Sequence, residues 1–405
     1  MRGRSDSSLL RLINSRKIVD TVLAVAPLGI SRAEVARATG LSKPTVSALV
    51  GDLEAAGLMR MADPGSPSGD IGRPAALYEI IPDSSLVIGA DIGATKIIVG
   101  VADLLGRPMA EEMIETPSDA AAAADAVCDA ALRLLEDSAG GSGRLRNACV
   151  GVPGVYRADT DSVEMALNLP GFEGLNFHAH LTDRLGVPVQ IDNDVNLAAV
   201  GEADAGADQT DFAAVSIGTG IGSGLIIGGD LYRGGTGAAG ELGSLILPTT
   251  DGIAGAGGRV TLEDVASAPA IRRIFDRAVR NGRSSALDGG AEVADIFSAA
   301  AAGDEAAGHA LSTAAGAMAD AVTHLCLIND PALIIFGGGV GANPVFVEAV
   351  AAELDGLLAH PPALAPSTLG RRATFLGAIS LALRSLRESL VEQALDGREI
   401  RGARR

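Results

Sequence analysis

Cysteine is scarce in this chain and follows no ligand pattern. The three cysteines, Cys128, Cys149 and Cys326, form no CxxC pair and have no histidine at metal-ligand spacing. An odd number of thiols in unrelated apolar contexts excludes the disulfide framework of a small secreted protein. We therefore expect buried, reduced thiols in a cytoplasmic protein.

Targeting and membrane signals are also missing from the sequence. The N-terminus has arginines but no apolar segment ahead of its first helical pattern, and no apolar run looks long enough to span a bilayer. We expect neither secretion nor a membrane partner. The 405 residues, 47% of them hydrophobic, instead predict two to three soluble globular domains.

Positive charge is in short supply. Lys and Arg total 32 against 50 Asp and Glu, a formal net charge of -18, which argues against a protein coated for nucleic acid. The charge is uneven, because residues 1–48 carry eight Lys or Arg and three Asp or Glu. A basic head on an acidic body favours local contact with DNA. A chance cluster of basic residues is the alternative.

Two short helical patterns, joined by a Gly-Leu-Ser turn, are present in residues 29–59. Ser31 and Glu34 are spaced as a capping box, Gly40 is suited to end the first helix, and Ser42 is placed to cap the second. This spacing predicts a helix-turn-helix. A helical hairpin without a partner is the alternative.

The second helix has an apolar stripe that predicts its core-facing side: Val46, Leu49, Val50 and Leu53. Small and polar side chains lie early in the helix and largely off that stripe, where an inserted helix meets base edges. The residues predicted to contact DNA are Lys43, Thr45, Ser47 and Ala48.

A β-hairpin wing is predicted after Leu58, where a weakly alternating segment breaks at a Pro/Gly/Ser-rich tip and resumes as a strand. The tip carries Arg73 between Gly72 and Pro74. An arginine held in this way can enter a minor groove, where A·T-rich DNA concentrates negative potential. A flexible linker is the alternative.

Two apolar strand pairs flank glycine turns, one from Ser85 and the other in residues 213–234. This internal repeat predicts a duplicated α/β architecture with a cleft between two lobes. Glycine turns let backbone N–H groups approach phosphate closely, whereas the strand that follows Gly222 excludes a Rossmann fingerprint. The predicted phosphate and nucleotide contacts are Asp91, Gly93, Thr95, Lys96, Gly218, Thr219, Gly220, Gly338 and Gly339.

A strand followed by a helix in residues 188–203 places Asp192, Asn193 and Asp194 at the corner between the two. A carboxylate beside an acceptor hydroxyl, with a phosphate cradle and Mg²⁺, is what phosphoryl transfer to an alcohol requires. Asp194 is the candidate base. Helix capping is the alternative for Asp192 or Asn193.

The order of these motifs resembles the ROK family of sugar kinases and sugar-responsive repressors. The matching segments are DIGATK (91–96), LNLPGF (167–172), DNDVNLAA (192–199), GTGIGSGLI (218–226), GAAGELGS (237–244) and INDPALIIFGGGV (328–340). The resemblance implies an α/β, actin-like (hexokinase-type, ribonuclease H-like) two-lobed sensor at 83–390. It follows a winged helix-turn-helix at 1–82 and precedes a C-terminal tail at 391–405.

The resemblance also implies a sugar pocket and points to departures from the family pattern. The implied sugar-binding residues are Asn168, Asn193, Asp194, Glu241, Ser244 and Glu263. Ala94 stands where a second glycine is usual, and Ser244 stands where the family has a histidine. Zinc-binding cysteines are replaced by Ala254, Ala256 and Thr261, so we expect no zinc, because Ala, Thr and Ser supply neither thiolate nor imidazole.

Two functions remain open at this point. The first is a transcriptional regulator, commonly a repressor in this family, that binds an inverted-repeat and A·T-rich operator as a homodimer or dimer of dimers and responds to a sugar or sugar phosphate. It requires no cofactor. The second is a sugar kinase that uses ATP, Mg²⁺ and Asp194. The departures at Ala94 and Ser244 favour the regulator.

Overall fold

The computed structural model describes residues 6–62, 76–164, 170–171, 175–247 and 259–402. They form an N-terminal head and a two-lobed α/β domain with one five-stranded sheet in each lobe. Two predicted site residues, Asn168 and Arg73, lie outside the described residues, as do Ala254 and Ala256, which replace zinc ligands of the family.

The head is a winged helix-turn-helix. Its elements are α1 (Asp6–Leu23), β1 (Ile30–Ser31), α2 (Arg32–Thr39), α3 (Lys43–Ala55), β2 (Met59–Met61) and β3 (Leu77–Ile80), with antiparallel strands in the order β1-β3-β2. The predicted capping box is confirmed: Ser31 Oγ accepts from the Glu34 N–H, while Glu34 Oε2 accepts from the Ser31 N–H. Gly40 ends α2 in the left-handed conformation and Ser42 caps α3. The predicted apolar stripe of α3 is buried.

Lobe 1 is built on the sheet order β10-β7-β4-β5-β6. Its strands are β4 (Leu86–Ile92), β5 (Lys96–Ala102), β6 (Pro108–Glu115), β7 (Leu145–Val152), a small hairpin of β8 (Val155–Arg157) and β9 (Ser162–Glu164), and β10 (Val189–Asn193). Helices α4 (Ala120–Ala139) and α5 (Phe177–Leu185) share a hydrophobic cluster with β4, β5 and β7.

Lobe 2 repeats this plan in the order β13-β12-β11-β16-β17, which confirms the predicted duplication. In each sheet three strands form an antiparallel meander. A fourth strand pairs in parallel with the first strand of that meander, and a fifth strand pairs in parallel with the fourth. The strands of lobe 2 are β11 (Phe212–Ile217), β12 (Ile221–Ile227), β13 (Asp230–Tyr232), β14 (Ile246–Leu247), β15 (Val260–Thr261), β16 (Leu333–Gly337) and β17 (Ala363–Pro366).

The helices of lobe 2 form most of its core. They are α7 (Glu263–Ala266), α8 (Ala268–Arg280), α9 (Val293–Ala301), α10 (Glu305–Asn329), α11 (Gly338–Gly341) and α12 (Pro344–Leu354), while α6 (Asp194–Asp204) lies between the lobes. The expectation that no apolar run is long enough to span a bilayer is wrong for α10. By length and composition alone, this helix is long and apolar enough to cross a membrane. The core helix of a soluble protein can be equally long and apolar, and α10 buries Ala314, Met318 and Val322 in the core of lobe 2.

The last helix, α13 (Ala373–Gly402), joins the head to lobe 1. Leu386, Leu390 and Val391 belong to one hydrophobic cluster with Ile18 and other core residues of the head. The boundary drawn at 390 from the sequence falls inside this helix, because burial against the head extends α13 into the segment expected to be a tail.

Candidate functional site

Asp194 lies at the corner where β10 ends and α6 begins, as the sequence predicts. Asn193 caps α6, because its Oδ1 accepts from the N–H groups of Val195 (2.9 Å) and Asn196 (3.1 Å). Its Nδ2 donates to the carbonyl of Gly154 and to Asp194 Oδ1, both at 3.1 Å. Asn193 therefore takes the capping role weighed for this corner, and it orients the Asp194 carboxylate as it does so.

An ion pair that the sequence did not suggest fixes the same corner. Asp192 is buried, and its Oδ2 accepts from Arg233 Nε at 2.7 Å. Its Oδ1 accepts from the Asn193 N–H and from Asn196 Nδ2. Arg233 follows β13 and is 41 residues away along the chain, so no local spacing signals the pair. Asp192 is a structural residue that braces the site.

Three carboxyl groups of the site have raised pKa values. Burial raises the pKa of Asp194 to about 6, and the charge of Glu241 adds to this shift. Burial raises the pKa of Asp91 well above its ordinary value, and Asp194 contributes. The pKa of Glu241 is raised by burial and then by Glu263. Clustered carboxyls with raised pKa values are typical of binding and catalytic sites.

A cleft of about 600 Å³ opens between the two lobes on one side of Asp194. It is lined by both glycine hairpins and by the start of α11, so the structure brings nearly all of the predicted phosphate set together. The predicted residues on its wall are Asp91, Gly93, Thr95, Lys96, Gly218, Thr219, Gly338 and Gly339. Gly338 has φ +76° and lies against the Ile217 backbone, where a Cβ would not fit.

A second cavity of about 370 Å³ adjoins the first. The predicted sugar residues on its wall are Asn193, Asp194, Glu241, Ser244 and Glu263, together with Gly220 from the phosphate set. Glu263 Oε2 also accepts from the Ile221 N–H at 3.0 Å, which ties α7 to the glycine hairpin of lobe 2. Asp194 lines both cavities, so the two sites meet at this residue.

The hydroxyls of Ser244 and Thr261, at two positions where the resemblance implies zinc ligands, do not fit zinc. Thr261 Oγ1 donates to Asp264 Oδ2 at 2.9 Å and also accepts from the Asp264 N–H, so this hydroxyl is committed to Asp264. Ser244 offers only a hydroxyl, and zinc in proteins takes thiolate, imidazole or carboxylate ligands. Within the described ranges, no group of three or more His, Cys, Asp or Glu side chains is placed to hold a metal ion. The absence of zinc stays a prediction.

The residues of α3 that the sequence predicts to contact DNA lie at or near the surface of the head. Lys43 and Ser47 are exposed and Thr45 is half-buried, with its Oγ1 2.8 Å from Ser42 Oγ. Ser47 Oγ accepts from Arg32 Nη1 at 3.2 Å. The Arg32 guanidinium lies 4.6 Å from the centre of the Tyr78 ring on β3. Arg32 was not predicted as a site residue from the sequence. Its side chain connects α3 to strand β3 of the wing.

Comparison with known proteins identifies the relatives of this arrangement. The ROK family model matches residues 87–385, which is most of the chain. The chain belongs to the ROK family. A putative xylose repressor of Caldicellulosiruptor sp. is 30% identical over 68% of this chain and 69% of that protein. The xylose repressor of Bacillus subtilis is 24% identical over 94% of this chain and 97% of its own length.

Solved ROK structures match both parts of the molecule. A ROK family transcriptional regulator, described as a homolog of the E. coli MLC protein, covers 95% of this chain and 99% of its own with a TM-score of 0.78 at 19% identity, and so shares the fold. The ROK glucokinase of Streptomyces griseus, in complex with glucose and AMPPNP, covers 74% of this chain and 100% of its own with a TM-score of 0.62 at 29% identity. The predicted fold class is confirmed.

Proposed function

We propose that this ROK protein is a transcriptional repressor that releases its operator when a sugar binds at Asp194. One observation carries the proposal: α13 belongs to the core of the head at one end and lines the cleft beside Asp194 at the other. The xylose repressors among the relatives support it. Binding to DNA, together with the buried thiols of Cys128 and Cys149, supports a cytoplasmic location without a membrane partner.

The head supports DNA binding through its charge and its exposed helix. The exposed Lys43 and Ser47 are proposed to enter a major groove, and Arg73 is proposed to reach the adjacent minor groove. One head reads one half-site, so the proposed assembly is a homodimer or dimer of dimers on an inverted repeat rich in A·T pairs. The acidic body repels the DNA backbone and limits non-specific binding.

The electrostatics of the smaller cavity favour an uncharged sugar over a sugar phosphate. Asp194, Glu241 and Glu263 line it, and its described wall contains no Lys, Arg or His. The segments 165–169, 172–174 and 248–258, which the structure does not describe, add none in sequence. A phosphate dianion placed among three carboxyls has no counter-charge, whereas sugar hydroxyls can donate to carboxylate oxygens. Asn168 is proposed to complete the pocket.

Fluorescence anisotropy on DNA from upstream of the gene tests this proposal. The purified chain is titrated at fixed salt with and without D-xylose, D-glucose and their phosphates. We expect sequence-dependent binding that one free sugar weakens by roughly 5–150-fold, the usual range of allosteric coupling. The matched phosphate ester should have no effect. Equal affinity for random DNA under all conditions would contradict a repressor.

A sugar kinase is the second candidate, and the position of Asp194 between two adjoining cavities favours it. ATP phosphates would lie against the glycine hairpins, with Mg²⁺ near the Asp91 carboxylate. Bound Mg²⁺ would neutralise developing phosphate charge. Asp194, with its pKa of about 6, would accept the proton of a sugar hydroxyl. ATP-dependent phosphorylation of a hexose that disappears in Asp194→Ala would establish this activity; ATP and Mg²⁺ are needed only in this case.

A further inference from the structure

The junction between the head and the two-lobed domain is a packed interface. Core residues of the head, such as Val19 and Val22, share one hydrophobic cluster with Val87 and Leu104 of lobe 1 and with α13. The connection after β3 is also bonded to both sides. The Ile81 N–H donates to the Leu58 carbonyl of the head, and the Leu104 N–H of lobe 1 donates to the Pro82 carbonyl.

The first half of α13 packs against lobe 1 at glycines that allow a close approach. A Cβ on Gly89 of β4 would meet Ile379, and one on Gly151 of β7 would meet Thr374, each closer than 3.0 Å. Real Cβ atoms essentially never approach so closely. The helix therefore lies directly on the backbone of the sheet, and a close-packed contact of this kind transmits displacement instead of absorbing it.

The same end of α13 is joined to α6, the helix that begins at Asp194. A Cβ on Gly377 would collide with the Leu197 carbonyl, and one on Gly201 would collide with the Ala373 carbonyl. Thr374 Oγ1 donates to the main-chain carbonyl of Asp194 at 3.1 Å. Seventeen residues further on, after about 25 Å of helix, Val391 is buried in the cluster of the head.

We propose that the head and lobe 1 form one rigid body held by α13, and that the contact of Thr374 with Asp194 carries sugar occupancy to the head. Thr374 is a positioning residue in this scheme. The inference rests on the proposed repressor, because it names the route by which the sugar site acts on DNA affinity. A sugar that shifts α6 therefore displaces the head as a unit, without weakening the packing between the head and α13.

Native-state hydrogen exchange of the full chain tests the rigid body and needs neither DNA nor sugar. We expect Leu390→Ala, at the head end of α13, to lower amide protection at least about tenfold in α1 and also in β4 and the first turns of α13. The matched control is Leu354→Ala, in the core of lobe 2, which should affect α12 and α10 and spare α1. Loss confined to α1 and the last turns of α13 would overturn the rigid body.

Operator titrations with and without sugar test the route. Thr374→Val removes one hydroxyl and should reduce the ratio of the two operator affinities by about fivefold, the equilibrium equivalent of one hydrogen bond. Affinities for sugar alone and operator alone should stay near wild type. Ser389→Ala, a hydroxyl deletion further along α13, should leave the ratio intact. An unchanged ratio in Thr374→Val would overturn the route, whereas a wild-type chain that binds no operator would contradict the repressor and leave the exchange result standing.

Discussion

Thr374 Oγ1 and the carbonyl oxygen of Asp194 lie 3.1 Å apart, so the residue that joins the two cavities is hydrogen-bonded to the helix that reaches the head. Asp194 uses its side chain and its main chain differently. The residue lines both cavities, while its main-chain carbonyl accepts a hydrogen bond from Thr374 of α13. A ligand on the carboxylate therefore acts on a residue that is already attached to the DNA-binding end of the molecule.

Asp194→Asn should stabilise the fold at pH 7. The folded pKa of about 6 lies above the ordinary 3.8, so between these values the folded chain binds the proton more tightly than the unfolded chain does. The free energy of unfolding therefore falls as pH rises through this window, by at most about 3 kcal/mol for this group. Asparagine avoids the charge and keeps the Oδ1 acceptor for the Val195 N–H.

Thermal melts from pH 4 to pH 8 check this expectation. The advantage of Asp194→Asn should be largest at pH 7 and should be small by pH 4, where the folded aspartic acid is neutral and the unfolded one is about half protonated. Asp211→Asn is the control with the opposite sign, because the Gly228 N–H and then Thr210 lower the pKa of Asp211. An advantage of Asp194→Asn that persists unchanged at pH 4 would exclude ionisation as its cause.

Lys43→Ala and Ser47→Ala should weaken DNA binding in different ways. Loss of a lysine that contacts phosphate weakens all sequences alike and reduces the slope of log K against log salt by about 1. Loss of a base contact at Ser47 should cost about 1–3 kcal/mol on the operator only. Arg283→Ala removes an equal charge from lobe 2 and should change neither. Identical losses for both head variants on random DNA would remove Ser47 from base reading.

Arg73→Ala should weaken binding to A·T-rich operators more than binding to random DNA. A narrow A·T minor groove holds stronger negative potential, so an arginine inserted there reads the shape of the groove. Anisotropy on two operators that differ only in the A·T content of their flanks measures the difference. An equal loss on both would show that Arg73 contacts only phosphate.

Protein purified without chelator should contain no stoichiometric zinc, and EDTA should leave its unfolding temperature unchanged. The positions expected for zinc ligands carry Ser244, Ala254, Ala256 and Thr261. Structural zinc sites contribute directly to folding, so a hidden site would lower stability once the metal is removed. Elemental analysis at one zinc per chain would refute this prediction.

Local signals in the sequence predicted the elements that position the site. The capping residues Ser31 and Ser42 act on N–H groups within a few positions, so their pattern is visible in a single stretch of chain. The glycine hairpins and the corner at Asp194 are local in the same sense. Each was found where expected, although the ligand roles of these residues stay predictions.

Contacts between distant segments could not be predicted in this way. Arg233 pairs with Asp192 across 41 residues, and Val391 shares a cluster with Ile18 across most of the chain. Burial of such pairs depends on the assembled fold, and an apolar helix face does not name the surface it covers. Strand β17 was missed because its four residues, Ala-Leu-Ala-Pro, include no β-branched or aromatic side chain, and its strand partner β16 is distant in sequence.

The shared core of the head and α13 also limits how this protein can be recombined with others. Ile18, Val19 and Val22 lose apolar neighbours if the chain is cut after the wing, because Leu386 and Leu390 come from its opposite end. A chimera that transplants this DNA reader onto another sensor must therefore carry the matching final helix with it. The head and the second half of α13 therefore form one packed unit, although the sugar sensor lies between them in the sequence.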